Sequence, residues 1–429
     1  MLTSGKELHN FASSIWLFNR SLTGEGVRQT LDVIKSEVPN IFITKFKSGK
    51  KVYDWVIPME WHVNYAYIID PNGNKICDFE KNNLHLIGYS EPIEVELQLE
   101  DLLKHLYSLP EQPDAIPYVT SYYEKKWGFC ISEIDKKALP KGVYKIKISA
   151  TKTPGTLDIG EIYIRGKTRK EILISTYICH PSMANNEISG ITVSTFLAKE
   201  LISKKDNNFS YRFLFVPETI GSIAYINKNI KKMRKNIIAG FNLSCIGDDR
   251  NFSYLPSRKG NTVSDKAALH VLKLHYPGHK IYSWQDRGSD ERQYCAPGID
   301  LPISSLMRTK YGEYEEYHTS LDDLHNVVTP TGLEGGLNLV KKVLECIEMN
   351  LLPKTQFFCE PMMSKRNLYP TLSKKNEVSN SRLMMDIISL SDGTNTLLDI
   401  ANLLCKPISE IFDKAKILAE NKVISLNIN

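Results

Sequence analysis

Three residues able to bind a metal ion follow apolar segments of strand length. His180 follows the segment 171–179, Glu218 follows 211–217, and His318 lies in a loop after the apolar LPISSLM. Two imidazoles and one carboxylate suit a tetrahedral zinc site whose fourth position stays open for water or substrate. A zinc ion held in this way polarises a carbonyl group and lowers the pKa of its bound water to about 7.

Each of these residues also has an ordinary structural interpretation. A histidine after a strand is often a hydrogen-bonded or surface residue, and Glu218 can cap the helix that follows it. The segment EYEEYHT around His318 reads equally well as a solvated loop, whose acids could instead orient the imidazole. All three residues lie at predicted strand ends, where ligand sites of parallel α/β sheets form, so the metal site is favoured.

The elements that must position these residues alternate between strand and helix. The pattern predicts strands over 171–179, 211–217 and 236–247, with helices over 191–204 and about 221–235. EILISTYIC is a near-continuous apolar run, which is typical of a central strand covered on both faces. The sequence therefore predicts an α/β fold with a mostly parallel sheet and helices on both of its faces.

The flanking segments have a different texture. The patterns predict two helices over 5–38, short β segments over 41–89, and a helix over 97–109. Residues 142–150 and 159–166 bracket the turn-rich TKTPGTLD and are predicted to form a hairpin.

The C-terminal segment has the pattern of a winged helix-turn-helix. Three helices with apolar faces are followed by the strand-like VISLN. The third predicted helix is close to neutral, since it carries Glu410, Asp413, Lys414, Lys416 and Glu420. A DNA-binding module has basic residues on its recognition helix, so a protein partner is expected here and DNA is not.

The bulk composition is that of a globular protein with a large core. The chain has 429 residues, 42% hydrophobic and 24% charged, which predicts two or three domains. The net charge of +5 comes from dispersed lysines and indicates no particular partner. No targeting segment or membrane-spanning run is found, so a cytoplasmic protein is expected. The eight cysteines lack Cys-x-x-Cys spacing, which argues against a disulfide scaffold or structural zinc knuckle.

Four segments, in order, resemble the metal-site segments of the zinc aminopeptidase superfamily, which also contains glutaminyl cyclases: STYICHPSMANNEISG, FVPETIGS, GSDERQYCAPGIDLP and EYHTSLDDL. Almost the whole chain resembles, more closely, a bacterial family of aminopeptidase-like proteins often found beside polysaccharide-biosynthesis genes. The resemblance implies a peptidase domain over 1–40 and 118–355, a β-rich insertion over 41–117, and a winged helix over 356–429.

Carried onto this chain, the resemblance implies which residues bind metal. His180 and His318 match the first and last histidine ligands, and Glu218 matches a metal-binding glutamate. Asn186 and Ser244 stand where the superfamily has aspartate ligands, so one zinc ion is expected rather than two. Asn186 still offers a carbonyl oxygen, although neutral amide oxygen suits harder cations better than zinc.

The resemblance also raises a question about the general base. Pro217 stands where the superfamily commonly has a glutamate base, which leaves Glu187, Asp290 and Glu291 as candidates on position alone. Glu187 is also an alternative metal ligand, and Tyr317 is a candidate catalytic helper. The expected activity is zinc-dependent hydrolysis of a peptide or amide bond in a small substrate. The alternatives are a non-catalytic metal or ligand binder, and a transcription factor whose former enzyme domain senses a metabolite.

An aminopeptidase needs a carboxylate to hold the α-ammonium group of its substrate. Glu25 in RSLTGEG and Asp54 in DWVIPMEW are candidates if the β-rich insertion covers the cleft. The alternative is that Asp54 and Glu60 make structural hydrogen bonds with the neighbouring tryptophans.

Overall fold

A computed structural model describes residues 3–368 and 375–428, without the side chains of 375–380. Its strands are β1 (Phe42–Lys47), β2 (Lys51–Val52), β3 (Trp55–Val56), β4 (Glu60–Ile69), β5 (Lys75–Ile76), β6 (Ile93–Gln98), β7 (Leu106–Tyr107), β8 (Phe129–Cys130), β9 (Val143–Thr153), β10 (Thr156–Ile164), β11 (Glu171–Tyr177), β12 (Ser210–Val216), β13 (Ile237–Leu243), β14 (Ser253–Leu255), β15 (Lys280–Ile281), β16 (Ile303–Met307), β17 (Leu352–Thr355) and β18 (Ile424–Asn427). Its α-helices are α1 (Gly5–Ile15), α2 (Glu25–Glu37), α3 (Leu99–Leu102), α4 (Glu133–Lys137), α5 (Ser189–Ser203), α6 (Ile220–Asn236), α7 (Val263–His275), α8 (Glu291–Tyr294), α9 (Pro330–Glu348), α10 (Lys375–Leu390), α11 (Leu397–Leu403) and α12 (Ile408–Glu420).

The largest sheet has eight strands in the order β1-β10-β12-β11-β13-β16-β14-β15. Its four central strands, β12, β11, β13 and β16, pair in parallel. Their carboxyl ends therefore lie along one edge, where residues from distant parts of the sequence come together. The predicted α/β fold with a mostly parallel sheet is confirmed.

Helices cover both faces of this sheet. Every residue of β11 is buried, and its side chains alternate between two apolar clusters. Ile172 and Ile174 pack into the cluster that contains α1, α2, α5, α7 and α9, whereas Leu173 packs into the one that contains α6. Burial on both faces explains why this strand reads as a continuous apolar run.

Helix α5 begins directly against the sheet, and Gly190 permits the close approach. A Cβ atom at this position would lie 2.5 Å from the Leu243 carbonyl oxygen and 2.5 Å from Thr176 Oγ1. A side chain here would push the start of the helix away from β11 and β13. This start follows the segment that carries Asn186 and Glu187, so the packing also fixes part of the candidate site.

A second, antiparallel sheet has the order β5-β4-β9-β6, and it corrects two predictions. The hairpin predicted around TKTPGTLD is wrong, because β9 pairs with β4 and β6 whereas β10 pairs with β1 and β12. The segment instead carries the chain from one sheet to the other. The predicted boundaries of the insertion also differ from the pairing, since β1 belongs to the large sheet and β9 to the small one.

The helix predicted over 97–109 is confirmed only in its middle and is wrong at both ends. Strand β6 runs to Gln98, α3 (Leu99–Leu102) continues into a 3-10 turn over Leu103–His105, and β7 begins at Leu106. Residues 97 and 98 are extended because β6 pairs with β9 in the small sheet.

The C-terminal segment forms the predicted winged helix, in which β17 pairs with β18 around α10, α11 and α12. Its apolar residues are continuous with the core below the large sheet. His270 of α7 joins the two parts: its Nε2 accepts a hydrogen bond from the Ile408 N–H (3.1 Å), and its Nδ1 lies 2.9 Å from Asn402 Oδ1. Within the described ranges, no helix is long and apolar enough to cross a membrane.

Candidate functional site

His180 follows β11 and presents one ring nitrogen to a carboxylate and the other to the candidate site. Its Nδ1 lies 3.1 Å from Glu187 Oε2, and its Nε2 lies 3.9 Å from Glu218 Oε2. A carboxylate on one ring nitrogen fixes the orientation of the imidazole and leaves the other nitrogen as a metal ligand. Burial lowers the pKa of His180 and Glu187 raises it, and the net shift is upward.

Glu187 is fully buried and its carboxylate is engaged on all sides. It accepts hydrogen bonds from the backbone N–H groups of Cys179 (2.6 Å) and His180 (2.5 Å) and from Arg20 Nε (2.7 Å). Arg20 is itself buried and donates to the carbonyls of His180 (3.0 Å) and Ile15 (2.5 Å). A buried ion pair is tolerated only when its remaining polar atoms are satisfied in this way, so Glu187 is held rigidly behind His180.

His318 lies opposite His180, and the centroids of the two rings are 5.3 Å apart. The Tyr317 ring stacks on His318 at 3.9 Å with an interplanar angle of 15°, and the Tyr118 N–H donates to the His318 carbonyl. His318 Nε2 is buried without a hydrogen-bond partner among the described atoms. Burial, assisted by the charge on His180, lowers the pKa of His318 to about 3, so its ring is neutral and carries a free lone pair.

Glu218 follows β12, the strand beside β11 in the sheet. Its backbone N–H donates to Cys179 Sγ at 3.2 Å, and its side chain is 23% exposed, which makes it the accessible acid beside His180. Burial raises the pKa of the Glu218 carboxyl, and the neighbouring His180 charge opposes that rise.

Asn186 lies in a helical turn, Ala184–Ile188, just before α5. Its Nδ2 donates to the Tyr177 hydroxyl at 2.8 Å, which leaves the amide oxygen without a partner in the buried interior. The Asn186 backbone N–H donates to Asp322 Oδ2 at 3.0 Å, and this bond fixes the turn.

Two donor atoms of this cluster lie close enough to share a zinc ion, and two others are buried without partners. His180 Nε2 and Glu218 Oε2 are 3.9 Å apart, near the separation of about 3.3 Å between two ligand atoms on a tetrahedral zinc. His318 Nε2 and Asn186 Oδ1 are unpartnered buried atoms of the kind that a bound ion would satisfy.

Among the described residues, the group of three possible metal ligands whose ligand atoms all lie within 4.8 Å of one another is Cys179, His180 and Glu187. Glu187 is already engaged there by backbone N–H groups and by Arg20. Burial also raises the pKa of the Cys179 thiol, which disfavours the thiolate that metals bind. The Nε2 side of His180 is therefore the better candidate.

Four non-glycine residues around the cluster have left-handed backbone conformations: Ser182 (φ 51°), Thr219 (64°), Cys245 (49°) and His318 (56°). Such conformations cost of order 1–3 kcal/mol each and persist where the surrounding structure requires them. They occur at or beside the chain turns that follow the sheet strands.

The other predicted residues have different surroundings. Glu291 is buried and accepts from the N–H groups of Gly288 (2.8 Å) and Ser289 (2.9 Å) and from the Tyr311 hydroxyl (2.9 Å). Asp290 accepts from the Thr219 N–H (2.8 Å) and the Ser222 hydroxyl (2.6 Å).

The acids near His318 do not orient its ring. Glu316 pairs with Arg250 at 2.7 Å, and Asp322 accepts from the backbone N–H groups of Asn185 (2.6 Å) and Asn186. The suggestion that acids of this loop orient the imidazole is therefore wrong. Tyr317 stacking and the Tyr118 hydrogen bond to the backbone hold the histidine instead.

Several contributors to the site were not predicted. Tyr118 lies 5.1 Å from the His180 ring and 5.2 Å from the His318 ring, and Tyr177 lies 5.2 Å from His180. Arg20 stands in RSLTGEG, a segment considered only for ammonium binding through Glu25, which in fact pairs with Arg28 at 3.0 Å. No local sequence signal identified Arg20, because its partner Glu187 lies 167 positions away.

Comparisons with known proteins identify relatives of this chain and of its fold. The chain is 40% identical over 404 residues to a Clostridium acetobutylicum protein named for polysaccharide biosynthesis and an aminopeptidase-like domain; the match covers 93% of this chain and 91% of that protein. A crystal structure from C. acetobutylicum described as a peptidase matches with a TM-score of 0.90 and 38% identity, covering 98% of this chain and 96% of the other. The zinc aminopeptidase BSAP from Bacillus subtilis shares the fold at a TM-score of 0.57 and 13% identity, covering 80% and 94%.

Two family models match the chain. Residues 9–350 match a domain of unknown function, DUF4910, and residues 351–426 match a winged helix-turn-helix. The chain contains an aminopeptidase-like domain, and it belongs to the DUF4910 family.

Proposed function

We propose that the chain is a zinc-dependent hydrolase of the aminopeptidase type that cleaves a peptide or amide bond in a small substrate. One observation carries the proposal. His180 Nε2 lies 3.9 Å from Glu218 Oε2, the His318 ring lies 5.3 Å from the His180 ring, and His318 Nε2 is buried without a partner among the described residues. The polysaccharide-biosynthesis name of the Clostridium relative supports a substrate from that process.

In this proposal, His180, Glu218 and His318 hold the zinc ion, and the Asn186 amide oxygen is a fourth donor. When bound, the ion supplies Lewis acidity toward the substrate carbonyl. Glu187, held by Arg20, keeps the His180 ring oriented. The loss of aspartate at Asn186 favours one ion over two.

Tyr317 is the proposed hydrogen-bond donor to the reacting carbonyl oxygen. Burial raises the pKa of its hydroxyl well above the ordinary value, so the group keeps its proton at neutral pH. A donor fixed by stacking on His318 costs little reorganisation when charge develops on the substrate. The contacts of Glu187 and Glu291 favour positioning roles for both, in place of the general-base roles assigned on position.

Those same contacts favour a second candidate function, a non-catalytic metal or ligand binder. Glu187 and Glu291 have their oxygens engaged, and Pro217 stands at the expected base position. Without a base, a factor of about 10² to 10⁴ in rate is lost. Turnover of peptide and amide substrates, abolished by a chelator and restored by zinc, distinguishes the hydrolase from the binder.

Metal analysis of the purified chain tests the zinc site. We expect about one zinc ion per chain, lost in His318→Ala and bound more tightly in Asn186→Asp, which adds a negative ligand. His85→Ala is the matched control, because His85 is a partly buried histidine that contacts the Cys130 carbonyl instead. Unchanged zinc content in both His318→Ala and Asn186→Asp would remove the assignment.

A further inference from the structure

Arg292 is a half-buried arginine whose charge is not paired with a carboxylate among the described residues. Its Nε donates to the Ser289 carbonyl at 2.9 Å and its Nη2 to Thr219 Oγ1 at 3.2 Å, and both acceptors are neutral. Five other arginines pair with acids: Arg20, Arg28, Arg212, Arg250 and Arg258. Arg292 is therefore held in place while its charge remains available.

The Arg292 guanidinium lies beside the candidate zinc site. Its partner Thr219 is the residue after Glu218. Thr219 also donates its backbone N–H to Asp290 at 2.8 Å, so this contact holds Arg292 against the turn that carries Glu218.

Two carboxylates near the ligand set are already engaged. Glu187 is neutralised by Arg20, and Asp322 accepts from two backbone N–H groups and the Tyr314 hydroxyl. Asp290 keeps one oxygen, Oδ2, without a partner, so it is the competing site for an ammonium group. Arg292, whose charge no described carboxylate pairs, favours an anionic group at this edge of the site.

We infer that the substrate of this site carries an anionic group, a carboxylate or a phosphate, beside the scissile amide, and that Arg292 binds it. This inference rests on the proposed amide hydrolase function. A guanidinium presents a planar fork of N–H donors that suits both groups, and here two neutral hydrogen bonds fix it in advance. The site then selects acylated, acid-bearing amides over substrates with a free α-ammonium.

The test uses the zinc-loaded full chain and three small amides. These are N-acetyl-Ala-Ala with a free carboxylate, the aminoethyl phosphate amide of N-acetylalanine, and Ala-Ala amide with a free ammonium. We expect kcat/KM for at least one anionic amide to exceed that of the ammonium substrate about tenfold or more. The better of the two identifies carboxylate or phosphate as the recognised group. Equilibrium binding of N-acetylalanine, inorganic phosphate and alaninamide gives the same ranking without turnover.

Variants assign the effect to Arg292. Arg292→Gln should raise KM for the anionic substrate about tenfold or more with a smaller change in kcat, and Arg292→Lys should restore part of it. Arg165→Gln is the control: it removes an exposed charge beyond the carboxyl end of β10, which is antiparallel to β12, and should change neither constant.

Three outcomes distinguish this inference from the proposed function. A preference for the free ammonium that Arg292→Gln leaves unchanged overturns the inference and keeps the hydrolase. If Asp290→Asn abolishes the preference for the free ammonium, Asp290 is the residue that binds the ammonium group, because its Oδ2 lacks a partner. Failure to bind zinc overturns both.

Discussion

Arg20 and Arg212 are both buried arginines paired with buried glutamates, but only Arg20 reaches the candidate zinc site. Arg20 holds Glu187, which contacts His180 Nδ1, whereas Arg212 pairs with Glu171 inside the sheet. Comparing variants of the two arginines therefore distinguishes the stability that a buried ion pair provides from the orientation of a proposed metal ligand.

We predict that Arg20→Lys and Arg20→Met lower the zinc affinity of the folded chain about 10- to 100-fold, because groups that orient ligands carry effects of that size. Arg212→Met should destabilise the fold about as much as Arg20→Met does, because each change leaves a buried glutamate unpaired. It should leave the zinc affinity unchanged. Competition with a chromophoric chelator measures the affinity. Equal losses of affinity in the Arg20 and Arg212 variants would contradict the prediction.

Tyr317→Phe tests the proposed donor while keeping the aromatic ring that stacks on His318. We expect kcat to fall about 10²- to 10³-fold, as when one oxyanion donor is removed, with zinc content unchanged. Tyr282→Phe serves as a control, because Tyr282 packs against the same apolar cluster as Tyr317 but its hydroxyl has no hydrogen-bond partner among the described residues. An unaltered kcat for Tyr317→Phe would exclude the hydroxyl from the reaction.

Sequence reasoning selected His180, Glu218 and His318 from strand ends and residue chemistry, and the family resemblance added Asn186. It missed Arg20, since the pair with Glu187 spans 167 positions and no local pattern encodes it. The sequence also did not reveal that the carboxylates of Glu187 and Glu291 are already hydrogen-bonded, because backbone N–H groups donate many of those bonds.

At the scale of elements, Gly190 sets how closely α5 approaches the sheet. We predict that Gly190→Ala destabilises the chain by about 1–3 kcal/mol, because the new methyl group overlaps the Leu243 carbonyl and Thr176. Ser203→Ala at the exposed end of the same helix should change stability by less than about 0.5 kcal/mol. Denaturant unfolding measures both, and equal stabilities would disprove the packing argument.

Strands that are buried along their whole length were predictable from the sequence, but the pairing between strands was not. β11 and β12 are buried throughout, so their apolar runs identify them. β9 and β10 were recognised as strands but wrongly paired, because alternation reports a strand and not its neighbour. The linker between β9 and β10 is rich in turn residues and has the length of a hairpin loop, which favoured the wrong pairing.

At the scale of the whole molecule, His270 connects α7 to the winged helix. We predict that His270→Ala destabilises the chain by about 1–3 kcal/mol, because the buried Ile408 N–H loses its acceptor. His275→Ala on the exposed part of α7 is the control. Limited proteolysis should release the winged helix faster from His270→Ala only, and identical digestion of the two variants would contradict this.

The expected partner of the winged helix remains a protein. Helix α12 mixes acidic and basic side chains, and its first residue is engaged by His270. We predict no salt-dependent binding to duplex DNA, because few phosphate contacts are available along this helix. Fluorescence anisotropy with random-sequence duplexes at two salt concentrations measures it, and affinity that falls steeply with salt would refute the prediction.

The groups proposed to build the zinc site are dispersed from Arg20 to His318, and the two histidines stand on separate segments of the chain. A growing polypeptide therefore lacks the complete proposed ligand set until the stretch containing His318 has left the ribosome. If the chain binds zinc as proposed, capture of the ion is a late step in biosynthesis, and it follows the meeting of the segments that carry Arg20 and His318.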